Sequence, residues 1–319
     1  MSRWGAIAVG AVAGGAVVLA GCGTSGPKSA ASPRPPIISS PAAPTSPGPG
    51  GTETAYLSTG VPVPFTGDVV PLTVQASAGT GGQQWQRLAS ATVSFGDGAA
   101  ATVRERCTGA SLPPPSAGLI VRHAYQRTGL VTPQLTAAAV CGRSGQPDLS
   151  PGPSLRVLPA ASAASASWPQ CSPSQIGITA ASNGAALGHV GVLFTLRNTS
   201  SANCHLNGYP GMLLLGSNGH TLPTTVVRAV TGAYLIPAVM PHRVALPPGA
   251  IASFNLQYGD NPVGSQANEP YARACPAAAS AGVTLPNATG HTVVPASMAP
   301  CGGQVIVSPV VPGSQWLLP

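Results

Sequence analysis

Two stretches of the chain place an apolar side chain at every second residue, and that period restricts the fold more than any other feature. Val190, Val192, Phe194 and Leu196 form one set; Ala252, Phe254, Leu256 and Tyr258 form the other. In an extended strand a period of two puts each set on one face. Two half-buried faces need a cover, and the simplest cover is a second sheet, as in a β-sandwich. Further β-type runs occur at residues 69–76, 91–95, 119–125, 131–140, 175–179, 187–196, 212–215, 250–258, 282–285 and 304–307. The first four are bounded by Gly, Pro or Ser clusters, the pattern of all-β chains. In the third run Leu119, Val121, His123 and Tyr125 share a face.

Composition removes the main competitor. The 319 residues include 36 prolines and 40 glycines, far more than a helical protein tolerates, and 7% of residues are charged against a usual figure of about 25%. Aromatic residues make up only 4%, so the core relies on Val, Leu, Ile and Ala, and cross-links are expected to compensate for small side chains.

The chain opens with Arg3 and then runs from residue 5 to 20 without a charge, in the layout of a secretory signal. A membrane span needs roughly 20 strongly apolar residues, and Gly10, Gly14 and Gly15 dilute this shorter stretch. Leu19-Ala20-Gly21-Cys22 closes it and resembles the lipobox of bacterial lipoproteins. The resemblance implies that residues 1–21 are removed and that Cys22 carries acyl chains at the extracytoplasmic face of the cell membrane. Each buried CH₂ contributes about 0.8 kcal/mol, so one chain holds weakly and two or three hold firmly. Residues 22–54 are rich in Pro, Ser, Ala, Gly and Thr and are expected to form a disordered tether.

Setting Cys22 aside leaves six cysteines: Cys107, Cys141, Cys171, Cys204, Cys275 and Cys301. An even number in an exported chain reads as disulfides; zinc ligation would need C-x-x-C or finger-type spacings, and none is present. An Ala and Ser stretch at residues 159–167 reads as a linker between domains at 55–158 and 168–312, with a loose tail at 313–319. Cys107 and Cys141 stand alone in the first domain and are expected to join, which is worth roughly 3 to 4 kcal/mol in the chain-entropy model. In the second domain a hairpin would bring Cys171 near Cys204 and leave Cys275 to Cys301, although three pairings of these four are formally open.

Ser94-Phe95-Gly96-Asp97-Gly98, followed by His123-Ala124-Tyr125 and Thr128-Gly129, resembles the polycystic-kidney-disease (PKD) type of immunoglobulin-like domain. Pro133 interrupts the next expected strand and predicts an edge or bulge there. In the second half, Asn198-Thr199-Ser200, Cys204-His205-Leu206-Asn207-Gly208-Tyr209-Pro210-Gly211 and Leu246-Pro247-Pro248-Gly249 resemble a domain family of unknown function common in actinobacterial lipoproteins and secreted proteins. These resemblances imply two immunoglobulin-like β-sandwich domains concerned with contact rather than chemistry.

The residues themselves show little chemistry. The chain lacks a G-x-S-x-G elbow, and Asp97 with His123 reads as a structural pair rather than part of a triad. The six histidines stand apart, H-E-x-x-H is absent, and seven acidic residues are too few for a calcium cage, so neither a metal nor a cofactor is expected. Asp260 and Glu269 lie in a Gly, Asn and Pro-rich loop, which is a poor start for a glycosidase pair. The net charge of +7 is scattered, and Arg104, Arg106, Arg122 and Arg127 form the nearest approach to a patch. Nucleic acid is not an expected partner.

Two loops remain as candidate contact surfaces: residues 227–244, with Tyr234, Leu235, Ile236, Met240 and His242, and residues 259–270, with Asp260 and Glu269. The sequence thus predicts a lipid-anchored, non-enzymatic binding or scaffolding module, held to the membrane through Cys22. Its expected partner is an envelope protein, wall polymer or small ligand. The alternatives are a carrier of an apolar ligand and an envelope hydrolase with an unrecognised site.

Overall fold

The strand Ile251–Gly259 organises the second half of the chain, and it departs from the expected half-buried pattern. Ala252, Phe254 and Leu256 are fully buried, as their alternation requires, but so are Ser253, Asn255 and Gln257 on the opposite face. The computed structural model of the protein describes residues 53–79, 84–109, 112–261 and 275–314. The signal, Cys22, most of the tether, Glu269 and most of the tail lie outside the described residues.

Among the described residues the fold is all-β, and helical structure is confined to 3₁₀ turns of three residues. No helix among them is long and apolar enough to cross a membrane. All of them belong to one compact unit running from Gly50 to Pro319. The strands fall into two sets, Glu53 to Val157 and Ile176 to Pro312, each with its own core.

In the first set, Val69–Ala78 is the long central strand. Glu53–Ser58 pairs along one edge of it, and Leu119–Ala124 and Gln84–Gln86 share the other. The second layer is Ala100–Arg104, Leu88–Ser94 and Gln134–Val140. Val70, Leu72 and Val74 meet Ala91, Val93 and Leu135 in one core, with Leu119, Val121 and Tyr125 buried among them. The predicted run 131–140 is two strands, Gly129–Val131 and Gln134–Val140, broken at Thr132 and Pro133. Proline cannot donate to a ladder, and two glycines crowd the break. A Cβ on Gly96, which has φ +81°, would lie 3.0 Å from the Thr132 carbonyl oxygen, and one on Gly152 only 1.7 Å from that of Pro133.

In the second set, one sheet runs Ile176–Ala186, His189–Asn198, Ile251–Gly259, Gln304–Val307 and Thr225–Arg228. The facing sheet runs Thr221–Leu222, Gly211–Leu215, Ala278–Thr284 and Thr292–Met298. The rings of Phe194 and Phe254 stack 4.8 Å apart in the core they share. Disulfides join Cys107 to Cys141, Cys171 to Cys204, and Cys275 to Cys301. The second closes the hairpin formed by Ile176–Ala186 and His189–Asn198, whose ends lie side by side.

The residues expected to link the two sets are tied down. The Ala160 amide donates to Thr66 Oγ1, Ser165 is buried in a 3₁₀ turn, and Arg243 donates to the Trp168 carbonyl. Val63, Phe65 and Leu158 share a small buried cluster with Val239 and Val311.

Gly152→Ala is expected to lose about 3 kcal/mol or more in urea denaturation, because its methyl group must displace backbone rather than a flexible side chain. Gly60→Ala, where a Cβ meets nothing within 4 Å, should be neutral or slightly stabilising. Equal losses at the two positions would show that the Gly152 contact is not what holds the break.

Candidate functional site

The Asp97 and His123 pair is built into the first core. The turn after Leu88–Ser94 brings Asp97 to the end of Leu119–Ala124, where His123 Nε2–H donates to Asp97 Oδ2 at 2.7 Å. The imidazole lies flat on Phe95, with centroids 3.9 Å apart, and meets Tyr125 edge-on at 4.7 Å. Tyr125 donates its hydroxyl to the Phe95 carbonyl. Burial pushes the Asp97 carboxyl up, but hydrogen bonds from His123 and the Ala99 amide outweigh it and hold the group below its ordinary range. Burial, reinforced by the Asp97 charge, pushes the Tyr125 hydroxyl up to about 12 and keeps it a donor. Imidazole and carboxylate are thus spent on each other and the phenol on a backbone carbonyl, fastening a turn to a strand.

His242 has a comparable place. Its ring stacks on Phe65 at 4.0 Å, and its Nε2 lies 3.1 Å from Asp68 Oδ2, which also accepts the Phe65 amide. Its acidic partner is therefore Asp68. The Cys204 to Gly211 element is structural as well. Cys204 and Leu206 are buried, Gly208 accepts from Val310, and the Arg228 guanidinium lies 5.6 Å from the centre of the Tyr209 ring. Asn198, fully buried, donates to the carbonyls of Ala202 and Leu246 and accepts from the amide and hydroxyl of Ser200.

The candidate contact loop divides into buried and exposed positions. Leu235 and Ile236, expected on the surface, are buried at 7% and 0% exposure, because they seat the loop on the outer face of the sheet. Tyr234 and Met240 stand out at 51% and 58%. The Leu235 amide donates to Gln257 Oε1, which fixes the loop to the buried polar row of Ile251–Gly259. On the same row, Ser308 Oγ accepts the Asn255 amide, and the Ser308 amide donates to the Asn255 carbonyl.

Beside this loop lies one end of the second sandwich. Tyr234 stacks on His189 with centroids 5.1 Å apart, and Gln257 Nε2 lies 3.2 Å from His189 Nδ1. Asp260, exposed, donates its amide to Gly188 in the hairpin turn. A cleft of about 150 Å³ opens there, walled by His189, Gln257, Tyr258, Asn261, Gln304 and Ile306. The alternating pattern could not reveal it, since its residues come from three separate segments. Two shallower grooves of about 390 Å³ each lie elsewhere on this half, one between Ile176–Ala186 and Thr292–Met298, the other over Gly177, Thr195 and Ile251. Among the described residues no three His, Cys, Asp or Glu side chains gather to hold a metal.

Residues 171–312 match a domain of unknown function, DUF4232, which spans the second set of strands from its first cysteine to its last described strand. No curated protein matches the chain. Among solved structures, the adhesin InvE of Yersinia pseudotuberculosis is similar at 12% identity and a TM-score of 0.21, over 67% of this chain and 58% of that one. The chain thus spans less than two thirds of that structure.

The Asp97 pair predicts an acid-sensitive turn. A carboxyl held below its unfolded value of about 3.8 stabilises the fold above that pH, and the contribution is lost as pH falls through the lower, folded value. In an acid titration the Asp97 carboxyl, followed by NMR, should protonate below 3.8, and Asp97→Asn should flatten that part of the stability curve. A carboxyl titrating at or above 3.8 would contradict the geometry.

Proposed function

We propose that the protein is a lipid-anchored component of the cell envelope that acts as a binding or scaffolding module. The observation that carries this reading is the loop between Thr225–Arg228 and Arg243–Leu246. Its buried Leu235, Ile236 and Val239 fix it to the fold, while Val230, Tyr234 and Met240 remain exposed at 61%, 51% and 58%. Large apolar side chains held outward on a fixed base are the anchors that protein contacts use. Three disulfides support residence in an oxidising compartment, in keeping with acylation at Cys22 and an extracytoplasmic location.

The PKD-like reading of the first half is supported by the use its motif residues are put to, since Phe95, Asp97, His123 and Tyr125 pack against one another rather than facing a cleft. The enzyme alternative draws less support, because both histidine and aspartate pairs in the described residues are stacked on phenylalanines. The carrier alternative has one observation in its favour, the groove of about 390 Å³ between the edges of the two sheets at Ala180, Val192 and Pro295. The space between the sheets themselves is filled by Phe194, Phe254 and their neighbours.

Crosslinking in native membranes, followed by identification of captured proteins, tests the reading. The wild type is expected to recover a defined partner, and Cys22→Ala should move the protein to the soluble fraction and reduce that recovery. A wild type that captures no partner but co-purifies with a stoichiometric small molecule would support the carrier instead.

A further inference from the structure

The cleft at the end of the second sandwich has polar groups with assignable directions. Gln257 is 2% exposed, and its Oε1 accepts the Leu235 amide, which orients the side-chain amide and turns its Nε2–H toward His189 Nδ1. A nitrogen that accepts a hydrogen bond carries no proton, so the neutral His189 ring has its proton on Nε2 and presents that N–H as a donor. Asn261 and Gln304 are exposed on the same wall, and each side-chain amide brings two donors and an acceptor. The Asp260 carboxylate lies close enough to Tyr258 to add to the upward push that burial gives its hydroxyl. Ile306 supplies an apolar patch on the wall, and Tyr234 is stacked on the wall residue His189 and half exposed.

From this arrangement we propose that the cleft binds a single ring of a neutral polysaccharide. The inference rests on the binding-module reading and names a ligand class for it. A sugar ring has an apolar C–H face and a rim of hydroxyl groups, each both donor and acceptor. The face of Tyr234 turned away from His189, with Ile306, matches the first, and the amides and imidazole N–H match the second. Among the described residues no guanidinium or ammonium group lines the cleft. The volume of about 150 Å³ equals roughly five waters at about 30 Å³ each, room for one ring and not for a drug-sized ligand. The open mouth leaves the rest of a polymer outside.

The test is titration calorimetry of the full chain in detergent with neutral hexasaccharides of glucose, mannose, galactose and arabinose, and with hexalysine as a cationic probe. At least one hexasaccharide is expected to bind saturably. Tyr234→Ala and Asn261→Ala should each weaken that binding about tenfold, whereas Tyr234→Phe, which keeps the ring, should retain it. Tyr234 and Asn261 are exposed, and circular dichroism of each variant checks that the fold is unchanged. Failure of all four sugars, sugar binding indifferent to Tyr234→Ala, or binding of hexalysine alone would overturn the proposal. If the sugars fail while membrane crosslinking still recovers a partner, only this inference falls; if both fail, the module reading falls with it.

Discussion

The second half of the molecule depends on a row of buried polar side chains. Ser253, Asn255 and Gln257 lie on the outer face of the central strand Ile251–Gly259, where an ordinary sandwich would present them to water. Burying an amide without a partner costs about 1–3 kcal/mol, so each must be satisfied by whatever covers it. Gln257 is satisfied by Leu235 on one side and His189 on the other, and the Asn255 backbone is bonded to Ser308. The row therefore specifies where the covering segments lie. An apolar strand face would accept those segments in many registers, whereas directional hydrogen bonds accept few.

The exposed features follow from that constraint. Because the Leu235 amide is fixed to Gln257, the side chain before it, Tyr234, is set against His189 and held toward solvent. His189 in turn owes its ring orientation to Gln257 and its place to the pairing of His189–Asn198 with the central strand. The first half uses a different device for a related end. There an imidazole between two aromatic rings, bonded to a carboxylate, fastens the turn containing Asp97 to Leu119–Ala124. The first device leaves Asp97 and His123 occupied internally, and both fix their loops from beneath.

Much of the strand content was legible because its physics is local. Phe194, Leu196, Phe254 and Leu256 alternate in sequence and are buried in the structure, and the Asp97 and Tyr125 positions could be assigned structural roles from their motif. Short strands such as Cys204–Asn207 and Arg243–Leu246 escaped notice because four residues carry too little periodicity, and they pair across a separation of about forty residues. The polar row was misjudged for a more basic reason. A residue such as Gln257 in an alternating strand looks solvent-facing, and only the distant Leu235 and His189 make its burial tolerable. For the same reason Leu235 and Ile236 looked exposed, being apolar residues in a loop with no visible partner in sequence. The end cleft, assembled from three segments, has no local signal.

Hydrogen exchange at the Leu235 amide tests the central role of the polar row most directly. In the wild type this amide should exchange slowly, like those of the central strand, and Gln257→Leu, which fills the space but cannot accept, should release it by at least about tenfold. Protection of Phe254 and Leu256 should persist in the variant, showing that the sheet remains. An unchanged exchange rate at Leu235 in Gln257→Leu would show that apolar packing alone seats the loop and would contradict the account.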